Sequence, residues 1–144
     1  MNVYGIRAAV WSVTSFNELR KEALACEHWN HLHPLEAPKV PWVTQQLHAV
    51  KGAIIAASDY MRIVSEQIRA FLPQGLPYIT LGTDGFGRSD SRDKLREHFQ
   101  VNRYFIAIAA LNALADDGVI GRSVVQDALE RFEIDVEKPF APNV

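Results

Sequence analysis

The residues with most chemistry to offer lie in one stretch, GTDGFGRSDSR, from Gly82 to Arg92. Gly82, Gly85 and Gly87 permit positive φ and close approach of a backbone. Arg88 and Arg92 carry charge that suits a phosphate or carboxylate, and a helix following the loop would add unpaired N–H groups. An anion nest is therefore one chemistry open to the loop. Against it, the spacing is neither GxGxxG nor the P-loop with its Gly-Lys-Ser/Thr ending, and Asp84 and Asp90 would repel a phosphate. The plainer reading makes the glycines a turn, lets Ser89 or Asp90 cap the helix, and pairs the arginines with those aspartates. A third reading is a contact surface, because Phe86 is an apolar ring among small and charged residues. The turn is preferred, the contact surface comes second and a small ligand third.

Other reactive side chains carry weaker signals. His28, His31 and His33 suggest a zinc cluster, but further ligands would be needed, and surface or capping histidines are the better reading. His48 and His98 stand on expected helices without partners. Cys26 falls inside a helix, where a buried small hydrophobe is the ordinary outcome. The serines sit at helix starts, with no nucleophile elbow. Asp116-Asp117 beside Gly118 reads as a helix end rather than an acid–base pair.

Periodicity and breakers place these residues on elements. Ala8 to Thr14 is a β-branched apolar run, expected as a strand covered on both faces. Ser15 with Glu18 forms a capping box, and Phe16, Leu19, Ala23 and Cys26 then lie on one stripe of a helix ending near Asn30. A proline-broken linker leads to Pro41, suited to the first turn of a helix over Trp42 to Val50. A second strand is expected at Ala53 to Ala57, then a helix capped by Asp59. Tyr60, Ile63, Val64, Ile68, Phe71 and Leu72 form its apolar side, and Arg62, Glu66 and Arg69 its solvated side. Tyr78 to Leu81 is the third strand, and the glycine loop follows it. Helices are expected at Asp90 to Phe99, Asn102 to Ala115 and Ser123 to Phe132, the last with a capping box of Ser123 and Gln126. The tail EKPFAPNV has no period and should lie over the surface. Alternating strands and helices imply a parallel sheet between helical layers. The loop then sits at the strand ends, where open α/β sheets bind ligands. Three strands are few for such a sheet, and a strand and helix are expected to be missing upstream of Ala8.

With 144 residues, 48% of them apolar and 22% charged, the chain has the balance of one globular domain. A net charge of -2 with interspersed signs offers no basic stripe for nucleic acid or an anionic membrane. No apolar run approaches the roughly 18–20 residues of a membrane span, and MNVYGIRAAVW lacks the pattern of a signal peptide. One cysteine precludes an internal disulfide and fits a reducing compartment. The expectation is a soluble, cytoplasmic protein with no nucleic-acid or membrane partner.

LGTDGFGRSDSR, from Leu81 to Arg92, resembles the C-terminal domain of the homodimeric, single-chain pyruvate dehydrogenase decarboxylating component. WSVTSFNELR (Trp11 to Arg20), the string ending WN-x-LHPLE-x-P-x-VP (Trp29 to Pro41), and AASDYMR with EQIR (Ala56 to Arg69) are similar to further blocks of that domain, in order. Of the three clustered histidines only His33 matches that pattern. The resemblance implies a transketolase C-terminal-like fold, a three-layer α/β/α arrangement with a mainly parallel sheet. It also implies a family enzyme that decarboxylates pyruvate on thiamine diphosphate with Mg²⁺ and acetylates the lipoyl group of an acetyltransferase. The family domain begins with one more strand and helix than the block from Val3 to Thr14, which supports the expectation of truncation.

The family's cofactor and catalytic residues belong to its other domains, and none matches a position here. A decoy exists: Thr83-Asp84-Gly85 followed by Asn112 imitates the thiamine-diphosphate signature, whose Asp and Asn bind Mg²⁺. Thr83 replaces the first glycine, and Asn112 falls inside an expected helix rather than a loop. We therefore expect a single-domain fragment that is structural and dimerising, inactive alone, with no catalytic, cofactor or metal residues. Asp84, Gly85, Phe86, Gly87, Arg88, Ser89 and Arg92 are the interface candidates. The expected partners are the rest of the decarboxylating component, its second subunit and the lipoyl acetyltransferase. The alternative is a free-standing α/β module binding a phosphorylated small molecule at Gly82 to Gly87.

Overall fold

Residues 4–143 are described in a computed structural model. Met1 to Val3, the start of the N-terminal stretch read above, and Val144 lie outside the described residues. Local signals set most of the elements. The Ser15 hydroxyl accepts the Glu18 amide at 3.2 Å and starts α1, Phe16–Leu32. Glu18 leans toward Lys21 at 3.7 Å, so only half of the capping box forms. Ala23 and Cys26 of the expected stripe are buried. Next comes α2, Trp42–Leu47, with Pro41 at its N-cap rather than in its first turn.

Strands β1, Ile54–Ala57, and β2, Tyr78–Leu81, pair in parallel, Ile54 opposite Tyr78 and Ala57 opposite Leu81. With a side-chain period of two, Ile54, Ala56, Tyr78 and Thr80 share one face. That face meets a core of Ala23, Val43, Ile68 and Phe71, with Phe16, Leu19, Leu47 and Leu72 around it. Tyr78 reaches through this layer to donate its hydroxyl to the Ser65 carbonyl at 2.8 Å. The opposite face is left to α5, Arg103–Asp116, which packs on β1. A second core joins α5 to α6, Arg122–Arg131, through Ile108, Leu111, Val125 and Ala128. The result is the expected α/β layering, with a smaller sheet.

The expected first strand is a correction. Ala8 to Thr14 forms no ladder, and the sheet of the described residues has two strands. Val10 is 94% and Trp11 53% exposed. Tyr4 and Ile6 before this segment pack on the α5–α6 core, while Phe16 after it packs on the sheet core. The segment is thereby stretched between two cores, and among the described residues no strand edge pairs with its backbone.

The helix expected from Asp59 is also corrected. It shortens to α3, Arg62–Glu66, followed by a 3₁₀ turn at Arg69–Phe71. Asp59 does not cap it, because its carboxylate pairs with Arg96, 2.8 Å away on α4, Arg92–His98. Tyr60 and Ile63 of the expected apolar side face solvent, whereas Ile68 and Phe71 are buried. The side expected to be solvated is occupied: Glu66 accepts from Thr80 at 2.6 Å and from Arg69. At α6 the N-cap is Gly121, and Gln126 bonds Glu130 instead of boxing with Ser123. The tail ends in a 3₁₀ turn, Ala141–Asn143, whose Ala141 is buried.

Candidate functional site

The glycine loop leaves the C-terminal end of β2 and is pinned at once to the turn before α3. The Thr83 amide donates to the Tyr60 carbonyl at 2.9 Å, and the Thr83 hydroxyl to the Asp59 carbonyl at 3.1 Å. A Cβ on Gly82 would stand 2.5 Å from the Arg62 nitrogen and 2.6 Å from the Tyr60 oxygen, so this close approach requires glycine. Asp84 Oδ2 accepts from both the amide and the Nε of Arg62, at 3.2 and 3.0 Å. Gly85 alone of the three loop glycines has a positive φ, +118°, and a Cβ there would meet the Ala141 oxygen at 2.9 Å. Gly87 needs neither freedom, since nothing lies near it.

The acid–base pairs differ from the sequence expectation. Asp84 pairs with Arg62, not with Arg88 or Arg92. Neither Ser89 nor Asp90 is the cap of α4: Ser91 is, without a side-chain bond, and Asp90 Oδ1 accepts the Ser91 amide at 2.7 Å. Phe86 is 78% exposed, and Arg88, Ser89 and Arg92 are exposed too. Arg62 and the tail are contributions that spacing did not reveal. The Phe140 ring lies 5.4 Å from the Arg62 guanidinium carbon, and Arg62, Gly82, Asp84, Gln100, Phe140 and Ala141 line a crevice of only about 40 Å³. The tail thus closes over the loop's inner side. Tyr60 (71%), Met61 and Ile63 (65%), on and beside the turn that binds Thr83, are exposed.

The remaining candidates are occupied locally. His33 stacks on Trp29 at 4.3 Å and its Nδ1 lies 2.8 Å from the Trp29 carbonyl. The Lys39 ammonium sits 4.2 Å from the same indole centroid. His48 Nδ1 bonds the Gln45 carbonyl. Burial pushes the Cys26 thiol up from its ordinary pKa, and its hydrogen bond to Glu22 adds to the shift. Among the described residues no group of three His, Cys, Asp or Glu side chains is placed to hold a metal ion.

The transketolase-like TK C-terminal domain model matches residues 1–102. The chain belongs to that family. It is 53% identical over 137 residues to a pyruvate dehydrogenase E1 component of Pseudomonas aeruginosa, covering 95% of this chain and 15% of that protein. Against the E1 component of Escherichia coli K12 the identity is 47% over 135 residues, covering 94% and 15%. Against that of Cupriavidus necator it is 46% over 136 residues, again 94% and 15%. The chain therefore spans about 15% of the length of these relatives, matching their C-terminal region.

The residues present do not fit a thiamine-diphosphate centre. Asp84, the one acid of the imitation signature, is bonded to Arg62. Asn112 lies within α5 and donates to the Ile108 carbonyl at 3.2 Å. Asp84 is thus committed to Arg62 through Oδ2, and Asn112 is carried on a helix rather than presented from a loop, so the two are not arranged as a shared Mg²⁺ site.

Proposed function

We propose that this chain is a single structural and dimerisation domain of a pyruvate dehydrogenase decarboxylating component, without catalytic residues of its own. The full enzyme would decarboxylate pyruvate on thiamine diphosphate and pass the acetyl unit to the lipoyl group of an acetyltransferase, in the cytoplasm. Asp84, Gly85, Phe86, Gly87, Arg88, Ser89 and Arg92 shape the contact. One observation carries this reading: Phe86, Tyr60, Met61, Ile63 and Phe140 are exposed on three segments that touch one another at one end of the sheet. Isolated exposed apolar residues mean little, whereas grouped ones mark contact surfaces.

The loop's inner face argues against the alternative of a phosphate nest at Gly82 to Gly87. Thr83's amide is already bonded, Asp84 puts a carboxylate there, and Ala141 covers Gly85. No helix of the described residues is long and apolar enough to cross a membrane. The test is turnover: the 144-residue chain, supplied with pyruvate, thiamine diphosphate, Mg²⁺ and an artificial electron acceptor, should release no carbon dioxide above the protein-free rate. Steady turnover would overturn the non-catalytic assignment.

A further inference from the structure

Past the glycine loop the surface opens into a cleft of about 340 Å³, lined by Arg88, Ser89, Asp90, Lys94, Leu95 and His98. That lies within the roughly 300–1,000 Å³ range of small-ligand sites. Lys94 and His98 are four residues apart and share one face of α4, while Arg88 comes from the preceding loop. Arg88 and Lys94 form no ion pair among the described residues; Asp84 pairs with Arg62 and Asp59 with Arg96. Asp90, the one carboxylate in the lining, bonds the Ser91 amide. Of the other charged groups on the packed elements, Asp93 and Glu97 lie on α4, and Lys138 of the tail donates to the Glu97 carbonyl at 3.3 Å. His98 is held below its ordinary pKa, first by partial burial and then by the charges of Arg88 and Lys138. The cleft therefore sets two cations, Arg88 and Lys94, against the single carboxylate of Asp90, beside a hydroxyl and an imidazole able to donate.

We propose that this cleft binds a small phosphate monoester, with Arg88 and Lys94 neutralising the dianion and Ser89 and His98 supplying further hydrogen bonds. Charge-assisted bonds to phosphate are the strong ones, and the site needs no helix-end amide. Binding and His98 protonation reinforce each other: each tenfold in coupling raises the histidine's pKa by one unit. The site shares Arg88 and Ser89 with the proposed contact surface, but it needs no partner chain and no part of Phe86.

The isotope-labelled 144-residue chain, titrated at constant ionic strength and followed by NMR, tests this with glycerol 3-phosphate, inorganic phosphate and sulfate. Sulfate stays dianionic throughout, which separates the titration of His98 from that of phosphate itself. The monoester should give saturable shifts at Arg88, Ser89 and His98, and sulfate should raise the His98 pKa by about half a unit, a roughly threefold coupling. Arg88→Ala and Lys94→Ala, both at exposed positions, should each weaken the monoester about tenfold. Arg122→Ala, which removes a pair with Asp116 outside the cleft lining, should change nothing. Shifts that never saturate, an unmoved His98 pKa, or equal losses in Arg122→Ala would overturn the site. A tighter response to inorganic phosphate than to the monoester would overturn the ligand class.

Discussion

Replacing each loop glycine by alanine separates what the three positions do. At Gly82 the new methyl would meet two backbone atoms, the Arg62 nitrogen at 2.5 Å and the Tyr60 oxygen at 2.6 Å. Relief requires moving the 60–62 turn away, which breaks the bond from the Thr83 amide to Tyr60 and weakens that from Arg62 to Asp84. Overpacking typically costs about 1–3 kcal/mol and a lost hydrogen bond about 1 kcal/mol, so Gly82→Ala should lose about 2–4 kcal/mol. At Gly85 the strain of φ +118° adds to the contact with the Ala141 oxygen, and a similar loss of about 2–4 kcal/mol is expected. Gly87 has open space and no positive φ, so Gly87→Ala should be neutral or stabilising by about 0.5 kcal/mol through the unfolded chain. For a domain of this size each kcal/mol moves Tm by roughly 3–5 °C. Thermal and urea unfolding of the three variants should therefore give two large drops and one near-zero change. A Gly87→Ala variant as damaged as Gly82→Ala, or a Gly82→Ala variant within about 0.5 kcal/mol of the parent, refutes the packing argument.

Burial, reinforced by the Glu66 carboxylate, pushes the Tyr78 hydroxyl up to about 12. Unfolded tyrosine titrates near 10, so between these pH values the native state binds more protons than the unfolded one. Stability should be fully present below pH 10 and fall by up to about 3 kcal/mol as pH rises toward 12. Tyr78→Phe should cost about 1 kcal/mol at neutral pH through the lost bond to Ser65 and flatten that alkaline decline, measured by urea unfolding across the range. Asp84→Ala should lose about 1–2 kcal/mol by stripping Arg62 of two bonds, and Asp84→Asn less, by the same assay. Asn102 Oδ1 accepts the Tyr104 and Phe105 amides, so Asn102→Ala should cost about 1 kcal/mol and lower helical ellipticity on melting.

How much of this was legible follows from where the determining contacts lie. The starts of α1 and α5 are written locally, in the Ser15 and Asn102 caps, and β1 and β2 are short apolar runs bounded by glycine and proline. The stripe of α1 could be read because one helical period sufficed. The Ala8 to Thr14 run carries the same local signal as a true strand, but a ladder needs a neighbouring edge, which no local pattern records. The turn at Asp59 to Met61 and the shortened α3 depend on Arg96, a contact across 37 residues. Likewise Asp84 finds Arg62 across 22 residues, and Gly85 is explained only by Ala141 in a tail that has no period. The loop motif identified the family, while the reason for each of its residues came from partners distant in sequence.

Sedimentation velocity of the 144-residue chain over a wide concentration range tests whether the glycine-loop end of the sheet is a contact surface. The parent should show a reversible monomer–dimer equilibrium, shifted toward monomer by Phe86→Ser with the melting temperature of the dilute monomer unchanged. A parent that stays monomeric at every concentration, or a dimer indifferent to Phe86→Ser, would contradict it.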